Sequence, residues 1–423
     1  MEGAREAATE QEPEILVGDR EQLFHLLAEA AEIEHTLMCS YLYAAFSLKT
    51  RPEDGLSPEE LEAVGRWRET IVSVAIDEMA HLLLVANLSI AVGGRPHFTR
   101  PNFPVATGYF PSGVVVRLTP FDRDTLDHFI FLERPKGIDH EDGDGFAHEE
   151  EYVREEAYHG LMPSVQDYRT VSHLYEALRE NLIACTKRYG PDALFIGPVE
   201  GQVGPDVVSL DGVAVISDLN SAAQAIDLIV EQGEGSPEDR DDSHYRRFVA
   251  IRGEYDALSR ANPAFAPAWP VATNPVMRRP PEPEDKVFVD EPSAARVLDF
   301  ANAIYAMLLR LLVQAFGRTG AGAAKAKEQH IGAAIGLMHV LAKAATALAS
   351  MPASADHPGT NAGLSFTMLR GVEPFFGGAA ERALIAERLK ELRGGALALA
   401  GMHPDLEGLD KPLGALIELY DAG

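Results

Sequence analysis

Two stretches of helix-forming sequence place ionisable side chains where a buried apolar stripe calls for aliphatic ones. The segment WRETIVSVAIDEMAHLLLVANLSIAVGG repeats apolar residues at Trp67, Ile71, Val74, Val85 and Leu88, the spacing of one helix face. Glu78 and His81 sit on that same stripe, three residues apart. Upstream, LFHLLAEAAEIEHTLMCSYLYAAF carries Glu34 one heptad after Leu27 and one before Tyr41, again on a single face. Burying an unpaired carboxylate is expensive, and neither helix offers a Lys or Arg on the same face. The pattern therefore asks for a bound cation. A Glu-x-x-His pair with a Glu from a neighbouring helix, all pointing inward, is the ligand pattern of dinuclear metal sites in helix bundles. The competing reading is a buried ionic network completed by a basic residue from elsewhere.

Length and charge narrow the setting. A chain of 423 residues is long enough for one large core or two ordinary ones. Its hydrophobic fraction of 46% is that of a water-soluble globular protein. The net charge of −28 argues against nucleic acid or an anionic membrane as partner. MEGAREAATEQEPE has no basic flank or apolar core of a signal peptide, and no unbroken apolar run approaches the roughly 20 residues that span a bilayer. Cys39 and Cys185 both lie among apolar neighbours, as reduced core residues of a cytoplasmic protein do.

The expected fold class is mainly α, a helical bundle with a small strand and loop insertion and extra C-terminal helices. Residues 1–14 read as a disordered N-terminus. Asp19 with Gln22 opens a helix running to about Lys49, and Ser57-Pro58-Glu59-Glu60 is a capping box opening a second that stops at Gly93-Gly94. Prolines then break the helical pattern over 95–165, where GVVVRLTPF at 113–121 reads as a strand and LDHFIFLERP as a short amphipathic segment. Residues 139–159, rich in Asp, Glu and His, read as a solvated loop. A third helix carries Tyr175, and 194–217 reads as a hairpin with an Asp-Gly turn. Two further helices follow, the second opening on a stripe of His244, Phe248, Ile251 and Tyr255. We thus expect a metal-binding domain over 15–261, a Pro-rich linker over 262–293, and a C-terminal helical region over 294–423 packing on the bundle.

Beyond Glu34, Glu78 and His81, His244 is the strongest further ligand candidate, since neutral imidazole at the head of an apolar stripe suits iron, manganese or zinc. Glu231 and Glu234 are three apart, but Glu231 points away from the stripe of Ala222, Ile226 and Ile229, as ordinary helix-end acids do. Tyr41 and Tyr175 are candidate catalytic side chains, against the simpler reading of core tyrosines with paired hydroxyls. Asp77 and Glu32 fall off the stripes. His140, His148 and His159 lack regular spacing. No phosphate loop, Gly-x-Ser-x-Gly elbow or Cys-x-x-Cys pair is present.

Taken together, AEIEHTLMCSYLYAAFSL, IDEMAHLLLVANLSIAVGGRPHF, TVSHLYEAL with LFIGP, and IVEQGEG with SHYRRF resemble the ferritin-like domain of the iminophenyl-pyruvate dimer synthase family of the violacein and rebeccamycin pathways. The likeness runs over about residues 15–260, and EMAHLLLVANLSIAVGGRP is its most specific block. It implies a ferritin-like bundle around a metal centre and adds Glu231 and Glu234 to His244 as expected ligands. The expected function is a non-heme dinuclear-metal oxidoreductase in specialised metabolism, with two iron ions or manganese. Its partners would be dioxygen or peroxide, a small amino- or imino-acid-like substrate, and further copies of the chain in a homo-oligomer. The alternatives are manganese-catalase-like peroxide disproportionation and a non-catalytic metal-binding bundle.

Overall fold

A computed structural model of the chain describes residues 13–106, 109–110, 115–138, 140–146, 161–163, 165–233 and 242–421. Eleven α-helices account for most of these residues. Helix α1 (Arg20–Ser47) begins where Asp19 accepts hydrogen bonds from the Glu21 and Gln22 amides. Helix α2 (Pro58–Ala91) begins at the expected capping box, in which Ser57 and Glu60 bond each other's backbone. The two pack along each other as a hairpin, with α4 (Val171–Tyr189) against α1 and α6 (Leu219–Gly233) against both α2 and α4. Helix α7 (His244–Ala261) closes the remaining side, touching α2, α6 and the short α3 (Arg123–Leu132). The four-residue α5 (Pro191–Leu194) only turns the chain after α4.

A second layer follows. Helices α8 (Pro292–Ala315) and α9 (Ala323–Ala349) pair, and α10 (Ala379–Leu399) and α11 (Asp410–Asp421) cover them. Helix α9 reaches α1, and the buried apolar residues of both layers form one cluster. The layers are also pinned by polar contacts. Tyr305 on α8 bonds His35 on α1 at 2.7 Å, and the buried Arg100 donates to the Tyr305 hydroxyl at 3.1 Å. Residues 262–293 run along the end of α1, where the Trp269 amide donates to Ser47 O at 2.8 Å. They contain the only strands among the described residues, Pro275–Val276 and Val287–Phe288, paired in parallel.

Two expected strand features do not form as ladders. Residues 115–120 form no strand, and 111–114 lie outside the described residues. Asn274 takes the partner's place, its side chain accepting from the Leu118 amide and its own amide donating to Leu118 O. Over 194–217 the Asp211-Gly212 turn is present, with Gly212 at φ 78°, but side-chain amides join the two limbs. Asn87 of α2 bonds the Val203 N–H and C=O and Ala214 O, while Gln202 bonds both backbone groups of Ile216. The expected loop residues His148 and His159 lie outside the described residues, as do 1–12 of the N-terminus.

Helices α2, α8 and α9 are long and apolar enough to cross a membrane by length and composition. This corrects the expectation from unbroken apolar runs, because scattered polar residues interrupt otherwise apolar helices. Their apolar windows are 72%, 67% and 56% buried within the protein itself, so that surface serves the core. Cys39 and Cys185 are both free and buried.

Asn87 satisfies three buried backbone groups at once, so its loss leaves each without a partner. We expect Asn87→Ala to lower unfolding stability by about 3 kcal/mol, read from chemical denaturation. A change below about 0.5 kcal/mol, the size of an ordinary surface substitution, would show that the two limbs are held by something else.

Candidate metal centre

Four elements bring acids and imidazoles to one point inside the bundle. Helix α1 supplies Glu34 and α2 supplies Glu78 and His81, each from the stripe facing the interior. Helix α3 ends at Glu133, its C-cap residue. Ser243 caps α7 by accepting from the Arg246 amide, which sets His244 as the first helical residue. Glu34, Glu78 and His81 are each 2% exposed, Glu133 is 8% and His244 is 0%, so these side chains are almost wholly enclosed by protein.

The geometry centres on Glu78. Its Oε2 lies 3.1 Å from His81 Nδ1 and its Oε1 lies 3.0 Å from His244 Nδ1. His81 Nδ1 is also 3.3 Å from Glu34 Oε2, and His244 Nδ1 is 3.7 Å from Glu133 Oε2. Two groups result that could each hold a metal ion, Glu34 with Glu78 and His81, and Glu133 with Glu78 and His244. Glu78 belongs to both. The imidazole rings are 5.7 Å apart, centroid to centroid.

The far side of each imidazole is held as well. His81 Nε2 faces Gln232 Oε1 at 2.8 Å, and His244 Nε2 faces Asp77 Oδ2 at 3.3 Å. Asp77 in turn accepts from Arg247 at 2.9 Å. With Nε2 donating outward, each Nδ1 presents a lone pair to carboxylate oxygens that are also acceptors. Lone pairs do not converge at 3 Å without positive charge between them. His244 Nδ1, fully buried, has no hydrogen bond of acceptable angle among the described residues. The donor set therefore fits a transition metal with its imidazoles oriented from behind, as metal-ligating histidines are.

Protons fill the same need when no cation is bound. Burial and the neighbouring Glu78 push the Glu34 carboxyl up to about 8. Burial works against a charged His81, but Glu78 and Glu34 outweigh it and push the imidazole up to about 10. His244 is raised well above the usual range, burial again being outweighed by the carboxylates of Asp77, Glu133 and Glu78 around it.

Two phenols complete the cluster. Tyr175 on α4 donates to Glu34 Oε1, and Tyr41 on α1 donates to Glu133 Oε1 at 2.5 Å. Each outer carboxylate thus carries one tyrosine. Burial and the adjoining carboxylates hold both phenols well above the ordinary tyrosine range, so they stay protonated donors. A narrow recess of about 30 Å³, partly open to solvent, reaches Glu34, Glu78, His81, Glu133 and Tyr175. Tyr41 does not line it, being enclosed by Phe129 and Phe248 at 4.6 and 5.2 Å. Nor do the described residues of the Pro-rich segment HFTRPNFPVATGYF, although a loop that long between two helices commonly walls a binding site. Its described residues pack elsewhere, with Phe98 on Phe316 and Tyr109 bonded to Glu32.

Of the residues singled out in the sequence, Glu34, Glu78, His81, His244, Tyr41 and Tyr175 are brought together. Glu231 is not. It is half-buried on α6 and belongs to neither group, because Gln232, three residues after Ile229, is the position that continues the buried stripe. Glu234 lies outside the described residues. Sequence reasoning missed Glu133 and Gln232, although Leu126, Phe129 and Glu133 repeat the heptad logic that found Glu34.

Comparison with known proteins follows the same boundaries. The family model described as Ferritin-like matches residues 27–253, a span that contains all five clustered acids and imidazoles. Dichlorochromopyrrolate synthase of Lentzea aerocolonigenes is 30% identical over 415 residues, covering 89% of this chain and 38% of that protein. The 2-imino-3-(indol-3-yl)propanoate dimerase of Chromobacterium violaceum is 24% identical over 347 residues, covering 76% of this chain and 31% of that one. The chain thus spans less than two fifths of either curated relative. A crystal structure of a ferritin-like protein from Caulobacter vibrioides covers 78% of this chain and 95% of its own at 18% identity, with a TM-score of 0.48.

The placement of Glu133 and Glu231 yields a paired test by elemental analysis. Glu133→Gln should lose about half of the bound metal, emptying the position shared with His244 while Glu34 and His81 keep the other. Glu231→Gln should keep wild-type occupancy. The reverse outcome would move the second position from α3 to α6.

Proposed function

The chain belongs to the ferritin-like family, and on that premise we propose that it is a dinuclear-metal oxidoreductase acting on a small amino- or imino-acid-like molecule in specialised metabolism. The observation that carries this reading is Glu78, whose two oxygens face two separately oriented imidazoles. Glu34 and His81 would hold one metal ion, Glu133 and His244 the other, and Glu78 would bridge them. Iron, or alternatively manganese, supplies redox chemistry with dioxygen or peroxide when bound at such a centre.

The protein's own residues have defined tasks around it. Gln232 and Asp77 fix the imidazole tautomers from behind. Tyr41 orients Glu133 from a sealed position, so it acts through that carboxylate. Tyr175 both orients Glu34 and borders the recess, where its phenol would be one of the proton donors facing a bound molecule. Leu37, Leu132, Val171, Ile229 and Val230 give the recess an apolar wall that limits water. The substrate class draws on the relatives, whose names describe a synthase and a dimerase of an imino-propanoate.

Anaerobic purification, metal analysis and then paired assays test the reading. Dioxygen uptake should rise several-fold with an aromatic 2-amino or 2-imino acid and vanish in Glu78→Ala. Rapid peroxide disproportionation, indifferent to every organic acid offered, would instead favour a catalase-like centre.

A further inference from the structure

Helix α6 ends on Gly233, directly after Gln232, the partner of His81. The backbone there does not call for glycine, since Gly233 is not among the residues of positive φ, and a helix favours alanine over glycine. Space supplies the reason. A Cβ on Gly233 would stand 3.2 Å from Glu133 Oε2, tighter than ordinary van der Waals contact. Apart from its own stretch of helix, it would meet nothing else within 4 Å among the described residues. Gly143 and Gly197, by contrast, are crowded by the Asp124 and Ile90 carbonyls, which is a matter of backbone packing.

The oxygen that Gly233 leaves uncovered belongs to the acid cluster. Glu133 Oε1 accepts from Tyr41, while Oε2 faces His244 Nδ1 at 3.7 Å. Gly233 also lines the narrow recess of about 30 Å³ that reaches Glu34, Glu78, His81 and Glu133. A space of that size holds about two water-sized molecules, whereas pockets for organic ligands run to several hundred Å³. Ile229 and Val230 of α6, with Leu37 and Val171, make much of the remaining wall apolar. A molecule of two or three heavy atoms fits there, and an aromatic acid does not.

We propose that Gly233 gauges the entrance to the metal centre, admitting a molecule the size of dioxygen or peroxide and keeping an organic acid outside. The absent side chain is what leaves the recess open at Glu133. The inference rests on the dinuclear reading above and divides its two reactants, the oxidant within the recess and the organic acid beyond it.

The test is absorption titration of the iron-loaded full chain with azide, a three-atom probe, alone and against benzoate, an aromatic acid. Wild type should bind azide, and an excess of benzoate should leave that titration unchanged. Gly233→Ala should keep its iron and bind azide at least about tenfold more weakly, the scale of one overpacked methyl group. The proposal is overturned if iron-loaded wild type binds no azide, if benzoate displaces azide from it, or if Gly233→Ala binds azide within about twofold of wild type. Loss of iron from Gly233→Ala overturns it too, because the residue would then be supporting Glu133 and not gauging an entrance. Elemental analysis separates the two ideas. Wild type that takes up no iron sinks the dinuclear reading and the inference with it, while any of the other outcomes on an iron-holding wild type sinks the inference alone.

Discussion

A carboxylate enclosed by protein needs positive charge on each of its oxygens, and Glu78 draws the rest of the site around that need. One oxygen faces His81 and the other faces His244. Each imidazole then requires an acceptor behind it, which Gln232 and Asp77 provide. Each outer carboxylate requires a donor, which Tyr175 and Tyr41 provide. Six helices are committed to these contacts, so much of the orientation of the bundle's interior is tied to one buried acid. In an environment of low effective dielectric, leaving any of these partners unmatched is costly.

The second helical layer bears on the same helices from outside. Tyr305, which accepts from Arg100, bonds His35 Nε2 on the residue following Glu34, with His35 Nδ1 bonded to Phe98 O at 3.0 Å. Both ring nitrogens of a fully buried imidazole are thereby occupied, and α1 is clamped between the layer and the site. Ordering of this kind holds the clustered acids and imidazoles in a fixed geometry.

Most of the bundle was legible because its helices announce themselves through caps and stripes. Ser57 with Glu60 and the Gly93-Gly94 stop delimit α2, and the stripe through Trp67 and Leu88 places Glu78 and His81 together. His244 was legible for the same reason. What sequence did not reveal is where a stripe is short or belongs to an irregular segment. Glu133 ends a ten-residue helix inside a Pro-rich insertion, where one heptad carries little weight. Gln232 is neutral, and next to Glu231 it attracts no attention until the helix is seen to turn it inward. The apparent strands fail differently. Their limbs have strand-like composition, but Asn87, Gln202 and Asn274 come from distant positions to take the backbone bonds, and no local pattern encodes that.

Anomalous diffraction from crystals grown with iron tests the central claim most directly. The account predicts two peaks per chain, about 3.5–4 Å apart as in two-metal sites, on either side of the Glu78 carboxylate, one beside His81 and the other beside His244. A single peak, or a pair in which Glu78 touches only one ion, would contradict it.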